Sequence, residues 1–239
     1  MTEQVDLSDK CILVVCAHPD DIEFGVSGSV ARWVAEGAQV IYCIITDGAA
    51  GSNDPQVDLA QLARQRVDEQ RAAAAVVGVQ DVRFLGYKDS TLQPTLELRR
   101  ELTRIIRELK PYRVVCQDPT TYFVRDGYIN HPDHRAAGEA TIYAVFPSAE
   151  TRPSFPELLS EGFEPHHVSE LYLTLTLQPN TVVDISAQID RKIEALLCHR
   201  SQVNADVEQW VRERNAEMGK EAGYAYAEPF RVLRFIRED

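Results

Sequence analysis

Cysteine is scarce in this sequence and shows no pairing pattern: Cys11, Cys16, Cys43, Cys116 and Cys198 make an odd total of five, with no CxxC spacing. A disulfide framework and a thiolate metal knuckle are both excluded, and four of the five sit in apolar runs, as reduced, buried thiols of a cytoplasmic protein do. Positive charge is also short. Lys and Arg number 25 against 37 Asp and Glu, a net charge of −12, so the average field repels an extended phosphate backbone or an anionic membrane surface. No apolar run approaches the roughly 18 residues that span a bilayer, and the opening MTEQVDLSDK lacks the apolar core of a secretory leader. These absences predict a soluble, cytoplasmic protein with no nucleic-acid and no membrane partner. Repeats, low-complexity tracts and a convincing linker are missing too. Residues 1–239 therefore read as a single domain, with a core over about 11–202 and a C-terminal helix and tail over 203–239.

What is present is an alternation. Four short apolar runs, ILVVCA (12–17), QVIYCIIT (39–46), VRFLGY (82–87) and YRVVCQD (112–118), are rich in β-branched and aromatic residues and too short for helices. Between them, residues 26–38, 59–78 and 95–110 carry apolar side chains at three- and four-residue intervals, the period of amphipathic helices. Gly37 and Gly78 fall at helix C-caps, and Pro111 stops the third helix. Strands alternating with helices, and apolar along their whole length, predict an α/β fold: a Rossmann-like, open, mostly parallel sheet covered by helices on both faces. Further on, the pattern predicts a helix over about 133–145, a Pro-rich loop over 147–167, a strand over 170–177, a helix over about 185–202 and an extended YAEPFRVLRFI tail.

The first strand ends in a way that core packing does not explain. His18, Pro19, Asp20 and Asp21 follow it directly, and in an open parallel sheet ligands bind at the carboxyl ends of the strands. Pro19 stiffens the turn. His18 and Asp21, three residues apart, suit two ligands of one metal ion, with Asp20 between them facing a substrate. The segment YINHPDHRAAGEA (128–140) repeats His-Pro-Asp and offers His131 and His134 at i and i+3. Either one completes a two-His, one-carboxylate set with coordination positions left open, as a catalytic zinc site requires. Bound Zn²⁺ acidifies water, a free carboxylate such as Asp20 takes the proton, and the remaining His supports an oxyanion. Taken alone, HPDD is an ordinary turn with an Asp cap and HxxH an ordinary helix face. Their coincidence at strand ends of one sheet is what points to a metal. The remaining His166, His167 and His199 read as surface or packing residues.

AHPDDIEFG followed by NHPDHRAAGEA resembles the LmbE/PIG-L-like deacetylases, metal-dependent N-acetylglucosaminyl de-N-acetylases. TDGAAGS, RQRVDEQRAAAAVVGVQDVRFLGYKDSTL and KIEALLCHRSQ are similar to family segments as well, so the likeness spans most of 11–202. The resemblance implies one zinc ion on His18, Asp21 and His134, Asp20 as general base, His131 at the oxyanion, and Arg66 and Asp89 on sugar hydroxyls. It also implies a small N-acetylated sugar as substrate and a homo-oligomer, trimer or hexamer, for which the Pro-rich 146–168 region is the candidate contact surface. One departure stands out: some sugar deacetylases of the family carry Tyr two residues before HPDH, where this chain has Ile129 and an out-of-register Tyr128. Competing expectations are an amidase acting on another small amide or thiol conjugate, a non-haem iron enzyme holding iron on His18 and Asp20, and a nucleotide-binding module using Gly25 and Gly28, which lack GxGxxG spacing.

Overall fold

In the computed structural model, which describes residues 5–124 and 126–235, the four apolar runs become neighbouring strands. In chain order the elements are β1 (Cys11–Cys16), α1 (Asp21–Gly25), α2 (Ser27–Ala35), β2 (Gln39–Thr46), α3 (Leu59–Val76), β3 (Asp81–Tyr87), α4 (Leu96–Leu109) and β4 (Arg113–Gln117). Then come a two-stranded hairpin, β5 (Phe123–Val124) and β6 (Tyr128–Ile129), α5 (Pro132–Tyr143) running into a kinked stretch at Ala144–Ala149 in which Phe146 is extended, and α6 (Glu157–Ser160). The chain closes with β7 (Glu170–Thr174), β8 (Thr181–Asp184), α7 (Ile189–Leu196), α8 (Val207–Lys220) and β9 (Ala227–Arg234).

One seven-stranded sheet runs β3-β2-β1-β4-β7-β9-β8. The first five strands in that order are parallel, and β9 is antiparallel to both of its neighbours. This is the open, mostly parallel α/β sheet that the alternation predicts. Because successive β1 side chains point to opposite faces, Ile12, Val14 and Cys16 pack with Val30, Trp33 and Ala73 on one side. Leu13, Val15 and Ala17 pack with Leu98, Leu102 and Ala137 on the other. Two cores, one per face, explain why the strands are apolar throughout. Gly37 and Gly78 take φ of +94° and +87° just beyond α2 and α3, the left-handed conformation that ends a helix and suits glycine.

Strand order reverses between β1 and β4, since the chain steps outward to β3 and then returns beside β1. The crevice at the carboxyl ends of these two strands is the switch point where such sheets place ligands. α5 lies close over it: a Cβ on Gly138 would sit 2.1 Å from the carbonyl oxygen of Gln117. That approach brings the start of α5 down to the end of β1.

Later elements differ from expectation in extent. The 170–177 strand stops at Thr174, because Leu175 turns to φ +55°. The helix expected over 185–202 is regular only over Ile189–Leu196, and the one expected from Asp133 starts at Pro132 with His131 as its cap. The C-terminal segment is extended, as expected, and lies between β7 and β8, while residues 1–4 and Ile236 of the predicted N- and C-terminal segments fall outside the described residues. Cys16, Cys43 and Cys116 are buried free thiols; Cys11 and Cys198 are partly exposed. Among the described residues no helix is long and apolar enough to cross a membrane.

Candidate metal centre

Where β1 ends, the chain is pinned before it turns. The Ala17 amide donates to Gln117 Oε1 on β4 (3.0 Å), and the His18 amide donates to Asp21 Oδ2 (2.7 Å). Asp20, the residue preceding α1, has φ +97° and ψ −26°, a left-handed conformation that is rare for a side-chain-bearing residue and clusters at functional sites. Across the turn His18 Nδ1 comes within 3.3 Å of Asp21 Oδ2, while the Asp20 carboxylate meets Arg66.

The second motif arrives from α5. His134 Nε2 lies 3.0 Å from Asp21 Oδ1, and its Nδ1 lies 3.0 Å from Asn130 Oδ1. Asn130 donates through Nδ2 to the Thr121 carbonyl (2.8 Å), so its oxygen must be the acceptor and His134 Nδ1 the donor. In a neutral ring, Nε2 is then a bare lone pair facing a carboxylate oxygen. Two acceptors at that distance repel unless a cation or a proton comes between them. An imidazole whose other nitrogen is fixed by an amide oxygen is also how proteins orient a metal-ligating His.

His18 carries the same message more strongly. Its Nδ1 is 3.3 Å from Asp21 Oδ2, and its Nε2 is 3.1 Å from Asp89 Oδ1 and 3.4 Å from Asp133 Oδ2. Neither of the last two carboxylates is aligned to accept a hydrogen bond, so Nε2 is a buried polar atom with no hydrogen-bond partner among the described residues. Burial disfavours the imidazolium, yet Asp21, Asp133 and Asp89 outweigh it and raise the His18 pKa to about 12. The same charges hold Asp21 the other way: burial pushes its carboxyl up, but His134 and His18 bring it well below the usual range. Such a pocket demands positive charge, and a divalent cation supplies it as well as protons do. The donor set therefore fits a metal. One consequence is measurable: a divalent ion bound through His18 would compete with the proton that these carboxylates favour on its ring, so binding at pH 7 is expected to release protons. Calorimetric titration with zinc in buffers of different ionisation heat checks this, and a binding heat independent of buffer contradicts it.

Among the described residues, two overlapping groups bring their donor atoms within 4.8 Å of one another: His18 with Asp21 and His134, and His18 with His131 and Asp133. They are not equivalent. Asp133 already accepts the Ser90 amide on Oδ2 (2.7 Å) and the Leu92 amide on Oδ1 (3.2 Å), whereas Asp21 Oδ1 faces the His134 ring nitrogen and, among the described residues, accepts no amide. His131 accepts the Asp133 amide on Nδ1 (3.2 Å), which leaves Nε2 as its donor. Its side chain is about one-third exposed, and its ring stands edge-on to His18 with centroids 4.7 Å apart. Burial, then the neighbouring His18 charge, lower its pKa.

Asp20 stands beside this cluster without joining it. Its Oδ2 accepts from Arg66 at 3.0 Å, and burial pushes its carboxyl up to about 7 against the pull of that guanidinium. Arg66 is 3% exposed and also donates to the carbonyls of Gly48 (2.7 Å) and Pro19. The loop after β2 wraps so closely around it that a Cβ on Gly48 or Gly51 would come within 2.8 or 2.7 Å of its Nη1. Asp89 is likewise buried. It accepts the Ala50 amide (3.0 Å) on Oδ2, and burial, which raises its carboxyl, yields to His18, which brings it to about 2. Both side chains expected on sugar hydroxyls are thus committed to protein partners around His18 and Asp20.

The competing expectations meet specific obstacles. Asp20 is outside both groups of candidate ligands, which disfavours iron on His18 and Asp20. A Cβ on Gly28 would sit 2.7 Å from Ile185 Cδ1, and one on Gly25 3.2 Å from Thr174 Oγ1, so these glycines serve packing. His166 and His167 bond the Pro111 carbonyl and Glu150, as packing residues do, but His199 is fully buried against Glu23 at 2.9 Å. Sequence reasoning passed over Gln117, Asn130 and Asp133. Each carried a signal: Gln117 is a polar residue closing an apolar strand, and the other two lie inside the NHPDH motif itself.

Comparison with known proteins places the chain in a family. The diacetylchitobiose deacetylase of Thermococcus kodakarensis is 34% identical over 94% of this chain and 83% of its own length. A probable N-acetyl-α-D-glucosaminyl L-malate deacetylase of Bacillus anthracis is 29% identical over 95% and 97%. The structure of N,N′-diacetylchitobiose deacetylase from Pyrococcus horikoshii superposes with a TM-score of 0.87 at 32% identity, covering 94% of this chain and 84% of that one. With residues 13–145 matching the model of the GlcNAc-PI de-N-acetylases, this chain belongs to that family, PIG-L, the LmbE/PIG-L-like deacetylases.

Proposed function

We propose that this protein is a zinc-dependent hydrolase that removes the N-acetyl group from an N-acetylglucosamine-type sugar or glycoside. One observation carries the reading: at the switch point, a two-His, one-carboxylate cluster stands beside a second, buried carboxylate that is not part of it. His18, Asp21 and His134 hold the metal in this reading. They are preferred to the His131 and Asp133 group because two backbone amides already occupy the Asp133 oxygens. A divalent cation held by these residues would supply Lewis acidity, to an amide carbonyl and to water near neutrality. Asp20 takes the proton of the attacking water on Oδ1, the oxygen that Arg66 leaves free, and returns it to the departing amine. His131 donates from Nε2 to the oxygen of the carbonyl under attack. Arg66 and Asp89 shape the floor beneath the sugar, and any contact they make with hydroxyls comes at the edge of their protein bonds. The substrate class rests on the relatives, whose names share deacetylation of N-acetylated sugars.

Acetate release from a panel of N-acetylglucosaminides, free and glycosylated, tests the reading, with N-acetyl amino acids as the control amides. Release from at least one sugar, abolished by chelator and restored by zinc, is expected. Release only from the amino-acid amides overturns the sugar assignment, and release unaffected by chelator overturns the metal.

A further inference from the structure

The segment KIEALLCHRSQ (192–202) lies far from Asp20 in sequence and has no part in the chemistry above. We propose that it is a positioning element for Asp20, acting through His199, Glu23 and Gln70. The proposal rests on the reading of Asp20 as the base.

α1 has five residues, too few to hold a helical turn by their own hydrogen bonds, yet it must fix Asp20 at its start and Asp21 at its first position. The structure holds it from behind. Lys192, with no exposed surface, donates to the carbonyls of Glu23 (2.8 Å) and Phe24 (3.1 Å) and pairs with Glu228 at 2.7 Å. His199 Nε2 meets Glu23 Oε2 at 2.9 Å. Glu23, as a carboxylate, only accepts, so the Gln70 amide must turn its NH₂ toward it; both contacts are 3.1 Å. That orientation leaves Gln70 Oε1 facing the other way, where it accepts the Asp20 amide at 3.0 Å. The chain His199–Glu23–Gln70–Asp20 thus ends on the backbone of the residue with φ +97°. His199, Glu23 and Gln70 are each 0% exposed, so no water can replace a lost partner cheaply.

The same segment reaches the other end of Asp20. Ser201 donates through N (3.0 Å) and Oγ (2.6 Å) to Glu69, three residues along α3 from Arg66, whose guanidinium holds the Asp20 carboxylate. Backbone and side chain of Asp20 are therefore both set by residues of one face of α3, and 199–201 locks that face.

The test uses the full-length, zinc-loaded chain, after acetate release by the unaltered protein is established; failure at that stage counts against the hydrolase reading alone. His199→Leu keeps volume and removes the donor, and kcat is expected to fall about 10- to 100-fold, the usual loss when an outer-sphere partner is removed, with KM and zinc content unchanged. His199→Gln, which places an amide nitrogen near the Nε2 position, is expected to recover most of that loss. Gln70→Met severs the last link, and its crystal structure is expected to show Asp20 leaving the left-handed region, a readout that needs neither activity nor a correctly folded His199 variant. A folded, zinc-loaded His199→Leu with wild-type kcat overturns the proposal. So does Asp20 keeping its φ in Gln70→Met.

Discussion

Replacing Asp20 by Asn leaves zinc in place and lowers kcat by about 10²–10⁴, the span over which a positioned general base contributes. Zinc stays because no atom of Asp20 belongs to the His18, Asp21 and His134 cluster. Turnover goes because an amide cannot take the proton of water at the atom where the carboxylate did. The substitution also leaves the buried Arg66 guanidinium without its anion, so a modest loss of thermal stability accompanies the kinetic effect. Metal content by atomic emission, beside steady-state kinetics on the best substrate of the sugar panel, separates the outcomes. Zinc lost together with activity makes Asp20 a ligand; activity kept removes it from the mechanism.

His134→Ala has the opposite signature, with zinc and turnover disappearing together. In the proposed site the ring would supply a ligand atom through Nε2, which faces Asp21, while Nδ1 is fixed by Asn130, so its removal is expected to cost more than the 10- to 100-fold in affinity typical of an outer-sphere partner. Competition of the variant against a chromophoric chelator measures this. His131→Ala is the control, expected to keep zinc while losing kcat, because the Asp133 amide donates to its Nδ1 and leaves Nε2 as a donor rather than a lone pair. The reverse pattern, with His131→Ala losing zinc and His134→Ala retaining it, would transfer the ion to the group containing Asp133.

The sheet was legible in the sequence because burial on both faces writes itself as unbroken apolar runs, and the switch point follows from strand order. Site candidates were legible because polar residues at the end of β1 have no reason of packing to be there. The choice between His131 and His134 was not readable from the residues. It depends on what Nδ1 already meets: in His131 the Asp133 amide, a donor that leaves the proton on Nε2, and in His134 the Asn130 oxygen, an acceptor that leaves Nε2 as a lone pair, and spacing carries no such information. Arg66 and Asp89 illustrate a different limit: their identities are informative, but only the fold shows that both are 6% exposed or less and bonded inward. β8 and the β5–β6 hairpin escaped notice because two- to four-residue strands give no periodicity to detect. His199 escaped because a lone His on an amphipathic helix looks the same whether it faces solvent or a buried carboxylate.

Anomalous diffraction at the zinc edge, from crystals of the zinc-loaded protein, addresses the convergence of the two histidine motifs most directly. A single strong peak within bonding distance of His18, Asp21 and His134, with Asp20 nearby but not coordinated, is the predicted result. A peak on His18, His131 and Asp133, or none between the two motifs, contradicts it.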